Sequence, residues 1–150
     1  MTLRVGLLNT ARINERILGG ARLSERATVV AAKAYAAERG IPRAHGSYEA
    51  LLADPEVDAV YISLPNGLHH EWTMRALAAG KHVLCEKPYS TDVAEVSAAF
   101  DLAAARGLIL MEAFMWRHTP LVERFMAELP AIGRLLTIRT TFSFDLSGGA

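Results

Sequence analysis

The chain has 150 residues, 51% hydrophobic and 21% charged, with 16 basic and 16 acidic side chains and a formal net charge of zero. That length and composition suit one globular domain with a substantial core, and the charge balance points away from a general nucleic-acid or anionic-membrane surface. No apolar run approaches the roughly 18 residues that span a bilayer, the N-terminal run carries no cleavage-type signal, and the single cysteine, Cys85, excludes an internal disulfide, so a cytoplasmic protein is expected.

The run "LRVGLLN" (3–9) reads as a buried strand, and "RINERILGGARL" (12–23) as a helix weakened near its end by Gly19 and Gly20. "ATVV" (27–30) is β-branched and apolar, hence a second strand, and "AAKAYAAERG" (31–40) reads as a helix stopped by Gly40. "SYEALLAD" (47–54) predicts a short helix with Ser47 as N-cap and Pro55 as terminator. "DAVYISL" (58–64) is a strand and "HHEWTMRALAAG" (69–80) a helix. "HVLCE" (82–86) is a strand, "TDVAEVSAAFDLAAARG" (91–107) a helix opened by Thr91 or Asp92, "LILMEA" (108–113) a strand and "PLVERFMAEL" (120–129) a helix. Continuous apolar strands alternating with helices imply a parallel sheet covered on both faces, a doubly wound, Rossmann-type α/β fold. Cys85, inside an apolar run, reads as a buried inert thiol.

The tail "LLTIRTTFSFDL" (135–146) breaks the pattern. Leu136, Ile138, Thr140, Phe142, Phe144 and Leu146 alternate with polar residues, the period of a strand with one buried face. No partner strand follows it, and an unpaired apolar edge associates readily. The expected organisation is a nucleotide-binding domain over 1–130 and the start of a second, antiparallel domain over 131–150, with homo-oligomerisation through the tail strand as an alternative.

Four strand-end segments carry the chemistry. "GLLNTARI" (6–13) follows the first strand where a pyrophosphate-binding turn would sit: Gly6 is present, Asn9 tolerates a left-handed backbone, and Ala11 is small. A plain strand-to-helix turn explains the same residues. "SLPNGLHH" (63–70) offers Asn66 and His69 beside Pro65, or is only a turn before a solvated helix. In "EKP" (86–88), Pro88 keeps Lys87 extended at a strand end, where an ammonium could bind a substrate hydroxyl or move a proton; a surface Lys–Glu pair is the plainer alternative. "MEAFMWRHTP" (111–120) gathers Glu112, Trp116, Arg117 and His118, with Trp suited to stacking on a flat ring and Arg to a phosphate, or with the aromatics simply packed. The spacing of His69, His70 and His118 fits no standard metal-ligand pattern, so no metal is expected.

Together these segments resemble the Gfo/Idh/MocA oxidoreductase family, in particular its dihydrodiol and xylose dehydrogenase branch, along nearly the whole chain. The resemblance implies a dinucleotide cofactor, NADP somewhat ahead of NAD, and oxidation or reduction at a CH–OH carbon of a sugar, polyol or related diol. It implies a catalytic lysine at Lys87. It also places Gly6, Asn9, Thr10, Ala11, Arg12, Ile13, Leu64, Pro65, Asn66, His69, Glu86, Lys87, Pro88, Trp116 and Arg117 around the cofactor. Relatives usually carry a longer segment after the second strand, often with a Ser–Arg pair that reads the adenosine ribose or its 2′-phosphate; about nine residues of that segment are absent here. Arg12 or Lys33 would be the substitutes. The short junction and the unpaired tail also fit a rival reading, a non-catalytic nucleotide-binding or interaction module, or an inactive fragment.

Overall fold

Short apolar runs become one sheet in the computed structural model, which describes residues 2–33 and 36–143. The strands are β1 (Leu3–Leu7), β2 (Ala27–Lys33), β3 (Arg43–His45), β4 (Ala59–Ile62), β5 (His82–Cys85) and β6 (Leu110–Glu112). Their order is β3-β2-β1-β4-β5-β6, and every neighbouring pair is parallel. The chain starts in mid-sheet, winds to one edge, then returns to wind to the other, which is the Rossmann arrangement expected from the sequence.

Successive strand residues face opposite ways. Val60 and Ile62 therefore join Leu51, Trp72, Leu77, Val83 and Ala99 in one core, beneath α2 (Tyr48–Leu52), α3 (His69–Ala78) and α4 (Val93–Ala105). Tyr61, between them, joins Leu7, Leu18, Val29 and Ala32 on the other face, against α1 (Asn14–Arg22). No described helix is long and apolar enough to cross a membrane.

Three sequence expectations need correction. The helix expected over 31–40 gives way to β2, which runs on to Lys33; only Ala37–Arg39 form a 3-10 turn, and residues 34 and 35 lie outside the described residues. Ala31 and Ala32 pair with Gly6 and Leu7 on one side and with Arg43 and Ala44 on the other, and both are fully buried. Two ladders and burial outweigh a helix preference of under about 1 kcal/mol per residue. β3 was not expected at all, because "RAH" has no apolar signature; it forms by pairing on the edge of β2. Finally, residues 135–143 form no strand, and Phe144, Asp145 and Leu146 lie outside the described residues. Alternation supplies a face, but a strand needs a ladder partner, and no described strand pairs with this segment.

From Met115 the chain forms a second compact unit. It contains a 3-10 turn (Met115–His118) and α5 (Pro120–Glu128), whose first turn is capped by Thr119 accepting from the Val122 N–H.

Gly6 sits where the β1–β2 register shifts, between Val5 and Gly6. A Cβ there would lie 2.7 Å from Leu51 Cδ2 and 3.2 Å from Val57 Cγ1, both in buried side chains. The glycine lets α2 close down on the sheet. At the amino ends of the strands, Arg4 donates to Asp58 from its backbone N–H and Nε at 2.9 Å each and from Nη2 at 2.6 Å. Lys81, almost fully buried, donates from Nζ to the carbonyls of Asp54 and Val57, 2.7 Å each.

Gly6→Ala should lower stability by roughly 1–3 kcal/mol, the range for overpacking a filled core, as a drop in urea midpoint at unchanged m-value. The Arg4 bonds hold the Asp58 carboxyl down at about 2, against burial, from an ordinary value of 3.8. A depressed carboxylate stabilises fully above its unfolded value and loses that contribution as pH falls through its folded value. Asp58→Asn should therefore lower Tm at pH 7, with the gap to the parent closing between pH 3.8 and about 2. A gap that stays constant over that window would rule out the charge as its origin.

Candidate functional site

Strand order reverses between β1 and β4, which lie side by side although two strands separate them in sequence. A crevice opens beyond their carboxyl ends in such sheets. Here a polar knot closes its floor. Ser63 Oγ donates toward Asn9 Oδ1 and Asn14 Oδ1, 2.6 Å from each. Asn9 Nδ2 donates to the Ser63 carbonyl, and Asn14 Nδ2 donates to the Asn9 carbonyl at 2.7 Å. Asn9 Oδ1 also accepts from the Ala11 N–H at 2.9 Å, an Asx-type turn. Asn9 thus shapes, through its side chain, the turn that a glycine would permit through backbone freedom. Asn14 and Ser63 are buried, and neither stood out in the sequence. A Ser at the end of one strand and an Asn in the first turn of a helix were the available signals.

The β4 and β5 loops are joined by His69. It is fully buried, with Nε2 2.8 Å from the Leu64 carbonyl and Nδ1 2.8 Å from that of Pro88. Pro65 and the 3-10 turn Asn66–Leu68 follow β4 directly, so Asn66 stands at the strand's carboxyl end. The Glu86-Lys87-Pro88 segment is fixed on several sides. The Glu86 N–H donates to the Ile62 carbonyl at 2.8 Å, and the Tyr61 hydroxyl donates to Glu86 Oε1 at 2.5 Å. The Tyr89 N–H donates to Glu112 Oε1 at 2.8 Å, and the Tyr89 hydroxyl and His70 Nδ1 share a bond of 3.0 Å. Lys87 itself is exposed. The backbone is held and the ammonium arm is left to reach.

Electrostatics support this division. Burial, together with the bond to Glu86, pushes the Tyr61 phenol well up, so it stays a donor. Burial likewise pushes Tyr89 up to about 12 and the Cys85 thiol, fully buried beneath the lysine segment, up to about 12. Cys85 is the inert thiol expected from the sequence.

Most of the expected residues thus gather at the carboxyl ends of β1, β4 and β5. Asn9, Thr10, Ala11, Arg12 and Ile13 form the first turn; Leu64, Pro65, Asn66 and His69 the second; Glu86, Lys87 and Pro88 the third. Gly6 lies inside β1, with a packing reason of its own. Trp116 and Arg117 belong to the second unit, in its 3-10 turn.

A dinucleotide needs an anion-receptive helix start. The starts of α2, α4 and α5 are closed by Ser47, Asp92 and Thr119, whose side chains accept from the first-turn N–H groups. Those of α1 and α3 have Ile13 and Leu68 in the cap position and no side-chain cap. Among the five described helices, the two that follow the switch-point strands are therefore the two without a side-chain cap. In α1 the N–H groups of Asn14, Glu15 and Arg16 donate to the carbonyls of Ala11, Arg12 and Ile13 at 2.9, 3.3 and 3.0 Å, so a pyrophosphate would meet the turn before the helix and the positive end of its dipole rather than those N–H groups. Asn14→Ala removes a donor to the Asn9 carbonyl and an acceptor of Ser63. It should cost about 1–3 kcal/mol of stability and weaken NADPH binding, read by urea unfolding and by nicotinamide fluorescence.

Comparison with known proteins agrees with this geometry. The sequence model of an oxidoreductase family with an NAD-binding Rossmann fold, Gfo/Idh/MocA, matches residues 21–114. D-xylose 1-dehydrogenase (NADP(+)) 2 of Haloferax volcanii is 48% identical over 155 residues, covering 97% of this chain and 47% of that protein. The 155 aligned positions exceed the 150 residues of this chain, so the relative has residues that this chain lacks. A trans-1,2-dihydrobenzene-1,2-diol dehydrogenase of Sus scrofa is 38% identical across 98% of this chain and 48% of its own length. Among solved structures, a 3-ketoreductase from Actinomadura kijaniata in complex with NADP and TDP-benzene superposes with a TM-score of 0.77 at 38% identity, covering 86% of this chain and 42% of that one. The chain spans about half the length of the curated relatives it matches. With the Rossmann sheet, the uncapped α1 start and a family match over 21–114, the chain belongs to the Gfo/Idh/MocA oxidoreductase family.

Proposed function

We propose that this chain is the cofactor-binding part of an NAD(P)-dependent oxidoreductase acting at a CH–OH carbon of a sugar, polyol or related diol. The observation that carries the reading is an exposed lysine on a backbone clamped at the carboxyl end of β5, beside the switch point. When bound, the nicotinamide exchanges hydride with the substrate carbon. The α1 turn from Thr10 to Ile13 holds the pyrophosphate. Pro65 and Asn66 flank the nicotinamide end, and His69 keeps their loop in register with the Lys87 segment. Lys87 orients the substrate hydroxyl and exchanges its proton as the carbinol becomes a carbonyl or the reverse. Glu86, held by Tyr61, accepts from the Lys87 backbone N–H at 3.3 Å, so its carboxylate helps to fix the base of the lysine arm. Trp116 and Arg117 complete the cofactor's surroundings in the assembled enzyme.

The domain division follows from the same reading: 1–130 serve the cofactor, and 131–150 open a substrate domain. There the alternating segment from residue 135 on would find ladder partners. Its unpaired alternative is association between copies. The enzyme works in the cytoplasm on a small polyhydroxylated substrate.

Titration of the chain with NADPH and NADH, followed by nicotinamide fluorescence, should give saturable binding of at least one; a folded chain that binds neither would defeat the proposal. With the substrate domain present, and D-xylose and vicinal diols as the test panel, Lys87→Ala should lower kcat by roughly 10²–10⁴-fold with cofactor affinity nearly unchanged. An unaltered kcat would remove Lys87 from the chemistry.

A further inference from the structure

A cavity of about 600 Å³ lies between the turn after β1 and the 3-10 turn after β2. It is lined by Thr10, Ala11, Arg12, Glu15, Glu38 and Arg39. We propose that Arg39 is this protein's reader of the adenosine 2′-phosphate, displaced from its usual place in the chain to the 3-10 turn that follows β2, and that Glu15 is its resting partner. The inference rests on the cofactor reading above and deepens it from dinucleotide to NADP.

Three features support the assignment. The first is a fixed backbone. Gly40 closes the turn with φ 65°, the Ile41 N–H donates to the Ala36 carbonyl at 2.9 Å, and Ala36 and Ile41 are both buried. The Arg39 carbonyl accepts from Arg22 Nη2 at 3.2 Å, tying the turn to α1. The second is the present partner. Arg39 Nη2 lies 3.0 Å from Glu15 Oε1, with the two side chains 42% and 44% exposed. An ion pair so exposed contributes little, because water screens it and two long side chains must be ordered to make it. A phosphate dianion offers the same guanidinium more charge and a bidentate geometry, so exchange from carboxylate to phosphate runs in the phosphate's favour. The third is Arg12, in the pyrophosphate turn and on the same cavity, which adds a second positive charge beside the ribose.

Glu38 and Glu15 weigh on the other side. A carboxylate that accepts from ribose hydroxyls selects NAD. Glu15 is already paired with Arg39, however, and it projects from α1 rather than from the end of β2, where the ribose-reading acid of NAD-selective folds stands. Once the phosphate takes Arg39, Glu15 and Glu38 both stand as opposing charges against two arginines, which is why removing the Glu15 charge should help the phosphate.

The test is a paired titration of the parent, Arg39→Ala and Glu15→Gln chains with NADPH and NADH. Adenosine 2′,5′-bisphosphate and 5′-AMP serve as shorter probes of the same end of the cofactor. Arg39→Ala should weaken NADPH and the bisphosphate at least about tenfold and leave NADH and 5′-AMP within twofold. Glu15→Gln, which releases Arg39 and removes a negative charge, should tighten NADPH. If the pair matters only for structure, both variants move every ligand in the same direction, and the proposal fails. It fails equally if Arg39→Ala leaves the NADPH-to-NADH ratio unchanged. A parent chain that binds neither dinucleotide would instead defeat the cofactor reading itself, a result recognisable before any variant is made.

Discussion

The turn that opens the ligand face depends on one serine hydroxyl. Ser63 Oγ lies between Asn9 and Asn14, so it ties the end of β4 to the turn after β1 and to the first turn of α1. Three elements that the chain visits at separate times are brought to one point. Asn14 and Ser63 are buried and Asn9 is half-buried, so a missing partner at either buried residue would leave a polar atom stranded. A glycine-rich turn achieves its shape through conformational freedom and must give up entropy to be held still. This turn is held by side chains instead, so its amides are aimed before any ligand arrives.

The second constraint is the way the lysine is mounted. Its neighbours on both sides are fixed by residues from other strands: Tyr61 of β4 fixes Glu86, and Glu112 of β6 fixes the Tyr89 amide. His69 adds a link from the helix after β4 to the Pro88 carbonyl. Tyr61 and His69 are buried, and the carboxylates of Glu86 and Glu112 are already engaged. A long flexible side chain on a stiff base can follow a substrate through small displacements while its origin stays put, which is how positioning reduces the entropic part of a barrier.

Much of this was legible in the sequence. The α/β class followed from unbroken apolar strands, and the three strand-end loops followed from where those strands stopped. What could not be read was whatever depends on a partner. Ala31 and Ala32 look like helix until β1 and β3 flank them. "RAH" looks like loop until β2 offers an edge. The alternation in 135–143 looks like a strand although nothing described pairs with it. The site shows the same limit. Lys87, Asn66, Asn9 and Glu112 stand out by motif, whereas Ser63, Asn14 and Tyr61 act through contacts 25 to 54 residues away in sequence. Gly6 reads as a phosphate-loop glycine, but the neighbours that demand it are Leu51 and Val57, across the core.

Cys85 gives the fold a reporter that no one needs to install. Its thiol is fully buried, and burial holds it protonated far above neutral pH. The thiol packs in the core shared with α3 and α4, so a reagent can reach it only when that helix layer lifts from the sheet. The rate of its modification under native conditions therefore measures how often the layer behind the lysine strand opens, against the slower opening of the whole domain. Any ligand that bridges the loops at the switch point would register as a slowing of that one chemical clock.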